Sequence, residues 1–131
     1  MILLDTSAWV EYLRRTGSEV NVEVRGLIQE EKPIATTDVV IMELIAGARD
    51  HDKRRAVWAM LNRCTMLPVR PMFDYEVAAH LYLRCRDSGF TPANSNDLLV
   101  AAVAIGHEIP VLAADHDFDR IALVSSLKLA A

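Results

Sequence analysis

The stretch Met1-Ile2-Leu3-Leu4-Asp5-Thr6-Ser7-Ala8-Trp9-Val10 decides the fold. Its apolar part reads as a short, fully buried strand of the kind found inside a parallel sheet. The run stops on an acid and two hydroxyls. Thr6 is a suitable N-cap for a helix over Ser7 to Arg15, in which Trp9, Val10 and Leu13 share a face. Asp5 is therefore expected at the carboxyl end of a central strand, where open α/β sheets place their ligands. A carboxylate there is costly unless something cationic answers it.

Working outward, the same alternation repeats. Val20, Val24, Leu27 and Ile28 make residues 18–31 an amphipathic helix that Pro33 ends. A second strand is expected over Pro33 to Thr36, then a third helix from Val39 to Arg49, capped by Thr37 or Asp38. Apolar residues surround Glu43 in that helix, so it should be buried. A fourth helix spans Asp50 to Cys64 with Val57, Met60, Leu61 and Cys64 inward. Thr65 to Val69 reads as a strand, and Asp74 to Asp87 as a helix on Tyr75, Ala78, Ala79 and Tyr82. Leu98 to Ile105, eight residues without a polar side chain, is too alanine-rich for a strand and reads as a central buried helix. Pro110 to Ala114 is another buried strand, followed by a short helix around Phe118 and Ile121 and an edge strand at Leu127 to Leu129. The pattern predicts one α/β domain over residues 1–131, with a central, mostly parallel sheet flanked by helices.

Bulk composition narrows the functional classes. Hydrophobic content of 52% is ample for a core, whereas 6% aromatics leaves little material for base-stacking platforms. Cys64 and Cys85 form neither a CxxC pair nor a disulfide framework, which suits reduced thiols in a cytoplasmic protein. No apolar run reaches the length of a membrane span. A net charge of −4 argues against a nucleic-acid partner only if the acids are spread evenly. If five of the 18 acids converge on bound cations, 13 face 14 bases over the rest of the surface.

Four acids occupy unusual places. Asp5 and Asp115 each end an apolar strand, Asp97 opens the buried helix, and Glu43 lies within another apolar helix. Converging carboxylates raise one another's pKa values and stay ionised together only around a hard cation, for which Mg²⁺ or Mn²⁺ is suited. Such a site activates water and clamps an in-line phosphoryl displacement, which makes phosphodiester hydrolysis the chemistry to expect. Each acid also has a simpler reading. Asp97 can be a first-turn acid favoured by the helix dipole, Asp5 a helix cap, and Asp117 and Asp119 ordinary first-turn acids. Glu43 has only a buried ion pair with an arginine as its rival.

The motifs Asp5-Thr6-Ser7, Met42-Glu43-Leu44, Asn96-Asp97 and Leu112-x-x-Asp115-x-Asp117-Phe118, in this order and spacing, resemble the PIN domain, and its VapC toxin branch in particular. The resemblance implies a homodimeric Mg²⁺- or Mn²⁺-dependent endoribonuclease acting on tRNA or another structured RNA. It also implies a VapB-type antitoxin whose tail covers the site. Asp5, Glu43, Asp97 and Asp115 match the family's acidic places, with Asp5, Asp97, Asp115 and Asp117 toward metal. Thr6 or Ser7 would be a hydroxyl near the metal or its waters. The chain departs from the pattern at Ala113, where many relatives carry Thr, and at His116, where a basic residue is common; the loop Ala93-Asn94-Ser95 lacks an arginine.

His116 is a candidate phosphate contact or acid near neutral pH. Arg14, Arg15 and Arg49 are the leading basic candidates for the RNA path, ahead of Lys53-Arg54-Arg55 and Arg84 with Arg86. The competing readings are a degenerate PIN module that only binds RNA or a partner protein, and a metal-dependent phosphatase. The phosphatase reading lacks the second acid two residues after Asp5, where Ser7 stands.

Overall fold

The computed structural model describes residues 1–130. Four strands, β1 (Ile2–Leu4), β2 (Ile34–Thr36), β3 (Thr65–Met66) and β4 (Val111–Leu112), form one parallel sheet in the order β3-β2-β1-β4. Leu3 pairs with Ala35 on one side and Val111 on the other, so β1 is internal. Leu3, Leu4, Ala35 and Val111 are essentially inaccessible, which fits strands covered on both faces. The chain steps from β1 to β2 on one side and later fills the other side with β4. The crevice between the carboxyl ends of β1 and β4 is thus a topological switch point, and both Asp5 and Asp115 lie just beyond it.

Among the described residues, seven helices complete the fold: α1 (Thr6–Leu13), α2 (Glu19–Gln29), α3 (Asp38–Gly47), α4 (His51–Leu61), α5 (Phe73–Asp87), α6 (Ser95–His107) and α7 (Asp117–Leu123). α1 packs on α2, and α5 on α6. Every residue of α6 from Asp97 to Ala104 is buried, as the alanine-rich run predicts. No helix among the described residues is long and apolar enough to cross a membrane. Cys64 and Cys85 are not bonded to each other, and burial pushes the Cys64 thiol up to about 11.

Several elements differ from the sequence reading for identifiable reasons. Asp5, not Thr6, caps α1: its carboxylate accepts from the Ser7 backbone N–H at 3.0 Å, and Thr6 is already helical. α3 is not buried all round, since Met42 is 57% exposed and Ala46 and Gly47 are also open; only Val39, Val40 and Leu44 are buried. α5 turns Asp74, Ala78, Leu81 and Cys85 inward and leaves Tyr75, Ala79 and Tyr82 exposed. Two faces of that helix are apolar enough to bury, and an ion pair with one buried partner selects between them. Asp74, 1% exposed, accepts from the Arg70 backbone N–H (2.7 Å) and from its guanidinium (2.9 Å). That guanidinium also lies over the Phe73 ring and against Gly106 of α6, where a Cβ would collide with it. The third and fourth strands are shorter than expected, and Leu129 forms only a single bridge to Val111.

Candidate metal centre

Two strand ends and three helices deliver five carboxylates to the carboxyl edge of the sheet. Asp5 is 3% exposed, and its Oδ2 is fully engaged: it accepts from the Ser7 backbone N–H and from the Ser7 hydroxyl at 2.6 Å. Ser7 Oγ in turn accepts from the Ala114 backbone N–H at 2.9 Å, joining the ends of β1 and β4 through one hydroxyl. The other oxygen, Asp5 Oδ1, is buried without a hydrogen-bond partner. The cap and ligand readings of Asp5 are therefore compatible, because each uses a different oxygen.

Asp97 sits in the first turn of α6, but it is not the cap. Asn94 performs that role, its side chain accepting from the Asn96 backbone N–H at 2.9 Å. Asp97 Oδ2 is buried and unpartnered, so the capping explanation leaves it unexplained. Glu43 has no arginine within ion-pair distance among the described residues; it accepts from the Thr6 hydroxyl at 2.8 Å instead. Thr6 and Ser7 thus each orient one acid.

Asp115 and Asp117 come from the β4–α7 junction. Asp115 Oδ1 accepts from the Asp117 backbone N–H at 2.9 Å, and Asp117 Oδ2 accepts from the Ala93 backbone N–H at 3.3 Å. Carboxylate oxygens of Asp97, Asp115 and Asp117 all lie within 4.8 Å of one another. Asp5 and Glu43 stand outside that trio, yet both act on Asp97. Burial, then the charges of Asp5, Asp115, Glu43 and Asp117, push the Asp97 carboxyl from 3.8 up to about 8. Burial also raises Asp5, against the pull of the Ser7 hydrogen bonds and with a smaller push from Glu43.

The basic candidates are more dispersed. His116 is 97% exposed, its Nδ1 3.2 Å from Asp119 Oδ2. Arg14 and Arg15 follow the eight-residue α1, which carries the chain about 12 Å from Asp5, and Arg15 lines a cleft between α1 and α2. Arg49 is exposed just past the end of α3.

Buried carboxylates with unpaired oxygens, and no basic side chain within ion-pair distance of them among the described residues, make an all-oxygen donor cluster of the kind that suits a hard cation, at the switch point of a parallel sheet. The comparisons with known proteins agree with that class. The family model of the PIN domain matches residues 2–124. The ribonuclease VapC11 of Mycobacterium tuberculosis and a VapC ribonuclease of Mycobacterium bovis are each 42% identical over 131 residues, covering 99% of this chain and 98% of theirs. The solved structure of a member of the VapBC family of toxin–antitoxin systems from Mycobacterium tuberculosis superposes with a TM-score of 0.66 at 27% identity. That superposition covers 97% of this chain and 94% of that one. The chain belongs to the PIN-domain family, in its VapC ribonuclease branch.

Proposed function

We propose that this chain is a Mg²⁺- or Mn²⁺-dependent endoribonuclease, the toxin of a cytoplasmic toxin–antitoxin pair. The observation that carries the reading is the pair of buried, unpartnered oxygens, Asp5 Oδ1 and Asp97 Oδ2, within a five-acid cluster. Without a cation, ionising this cluster costs stability; with one, the same desolvation strengthens each carboxylate–metal contact. Asp97, Asp115, Asp117 and Asp5 would hold the ion. A bound divalent ion supplies Lewis acidity and a nucleophilic water at neutral pH.

The remaining chemistry belongs to the chain. Ser7 keeps Asp5 Oδ2 occupied, so only Oδ1 is free. Thr6 holds the Glu43 carboxylate by one oxygen, Oε1, leaving the other to accept a proton from an attacking water. The short, buried β1 fixes the position of Asp5, which matters because a misplacement of about 1 Å can cost about 100-fold in rate. In-line attack on an RNA phosphodiester would leave a 5′-phosphate and a 3′-hydroxyl. A VapB-type antitoxin is the proposed protein partner, supported by the likeness to a VapBC-family structure, and a homodimer is the proposed assembly.

The test is cleavage of RNA by the purified chain with Mn²⁺ or Mg²⁺, against its Asp5→Asn and Asp97→Asn forms. Cutting no better than by these variants would sink the enzymatic reading.

A further inference from the structure

Trp58 does not belong to the core. It is 44% exposed on α4, whereas Trp9, the other tryptophan, is 1% exposed. Helical spacing fixes its neighbours: His51, Arg54, Arg55 and Asn62 lie three, four or seven residues away and share its face. None of the five is acidic, in a chain of net charge −4. Neither arginine has a carboxylate within ion-pair distance among the described residues. Arg54 Nη1 donates to the Ala48 carbonyl at 3.3 Å, which uses one of its five donors. The opposite side of the helix behaves differently, with Ala56, Ala59, Met60 and Arg63 lining an apolar groove against α1 and α2.

An open indole flanked by unpaired guanidinium groups has the chemistry that binds single-stranded nucleic acid: a stacking platform with phosphate contacts beside it. Direction supports the same reading. α4 starts four residues after α3, which carries Glu43, and it returns the chain to the amino end of β3. Its basic first turns, Lys53 to Arg55, are thus the part of α4 that follows most closely in the chain on the helix carrying Glu43, with Trp58 one turn further on. We propose that the outer face of α4 binds a single-stranded stretch of the RNA substrate, with a base stacked on Trp58 and adjacent phosphates on Arg55 and Arg54. The proposal rests on the ribonuclease reading and adds to it where the strand lies outside the acidic site.

The test is titration of the full chain with the decauridylate U10 in EDTA, read by tryptophan fluorescence and by anisotropy of labelled RNA. Because Trp9 is buried, saturable quenching reports Trp58. We expect Trp58→Ala to abolish the quenching and weaken binding about 10-fold, with Trp58→Tyr, which keeps a ring, within about 3-fold of the parent. Arg55→Gln should flatten the salt dependence by about 0.7 in log–log slope. The proposal is overturned if U10 does not bind, or if Trp58→Ala and Arg55→Gln both bind within about 2-fold of the parent. It is also overturned if a glutamate decapeptide quenches Trp58 as well as U10 does, which would mark a protein-docking face. Failure of the ribonuclease reading shows separately, as absence of RNA cutting with Mn²⁺ whatever stands at position 58.

Discussion

Replacing Asp97 by Asn should stabilise the metal-free protein while abolishing its activity. In the fold the Asp97 carboxyl is raised from 3.8 to about 8, so between those pH values the native state holds a proton that the unfolded chain has released. Stability therefore falls as pH rises through this window, and the loss is complete above it. At ~1.36 kcal/mol per pH unit the ceiling is about 6 kcal/mol. Burial is the largest cause of that rise, ahead of the neighbouring charges, and the site relaxes around a new side chain, so the substitution should recover only part, on the order of 2 kcal/mol. Asparagine keeps the shape, and its amide can donate to the neighbouring carboxylates, so no buried donor is orphaned. Urea unfolding in EDTA at pH 5 and pH 8 measures the effect: the variant's advantage should widen toward pH 8, roughly 6–10 °C if read as a melting shift. A variant no more stable than the parent at pH 8 would refute the account of Asp97 as an electrostatically strained ligand.

The other predictions concern single contacts. Adding Mn²⁺ at about 100 times its Kd should stabilise the parent by about 2.7 kcal/mol and leave Asp97→Asn nearly unmoved, a difference that melting curves read directly. Ser7→Ala removes the link between Asp5 Oδ2 and the Ala114 N–H, and should lower single-turnover RNA cleavage about 10–100-fold while costing only about 1–2 kcal/mol in unfolding free energy. Asp74→Ala strips the Arg70 backbone N–H and guanidinium of their buried acceptor; urea melts should show a loss of about 2–3 kcal/mol, with cleavage per folded molecule unchanged.

What was legible in the sequence is the set of acids that break a local rule. Asp5 and Asp115 stop apolar runs, and Glu43 is the lone charge among apolar neighbours, so composition alone exposes them. The structure brings them together with Asp97 and Asp117 at the β1–β4 crevice. Less legible were features decided by a choice between equals. Asp5, Thr6 and Ser7 are all good caps, and only the fold shows that Asp5 takes the role with one oxygen and keeps the other. α5 offers two apolar faces, and the choice between them falls to Asp74, an ordinary first-turn acid by sequence whose only signal was Arg70 four residues earlier. α3 reads as fully buried because hydropathy does not report that Met42, Ala46 and Gly47 lie at the surface. Trp58 was equally silent, since an isolated tryptophan on a helix reads as core until its exposure is known.

If Asp5, Asp97, Asp115 and Asp117 hold a divalent ion and Glu43 takes the proton of the attacking water, RNA cutting needs both the ion and Asp5. The most direct measurement is single-turnover cleavage of an end-labelled structured RNA by the parent and by Asp5→Asn, each with Mn²⁺ and with EDTA. The expected result is cutting by the parent with Mn²⁺ alone, leaving 5′-phosphate ends, and a loss of at least about 100-fold in Asp5→Asn. Equal cutting in EDTA, or by Asp5→Asn, would contradict it.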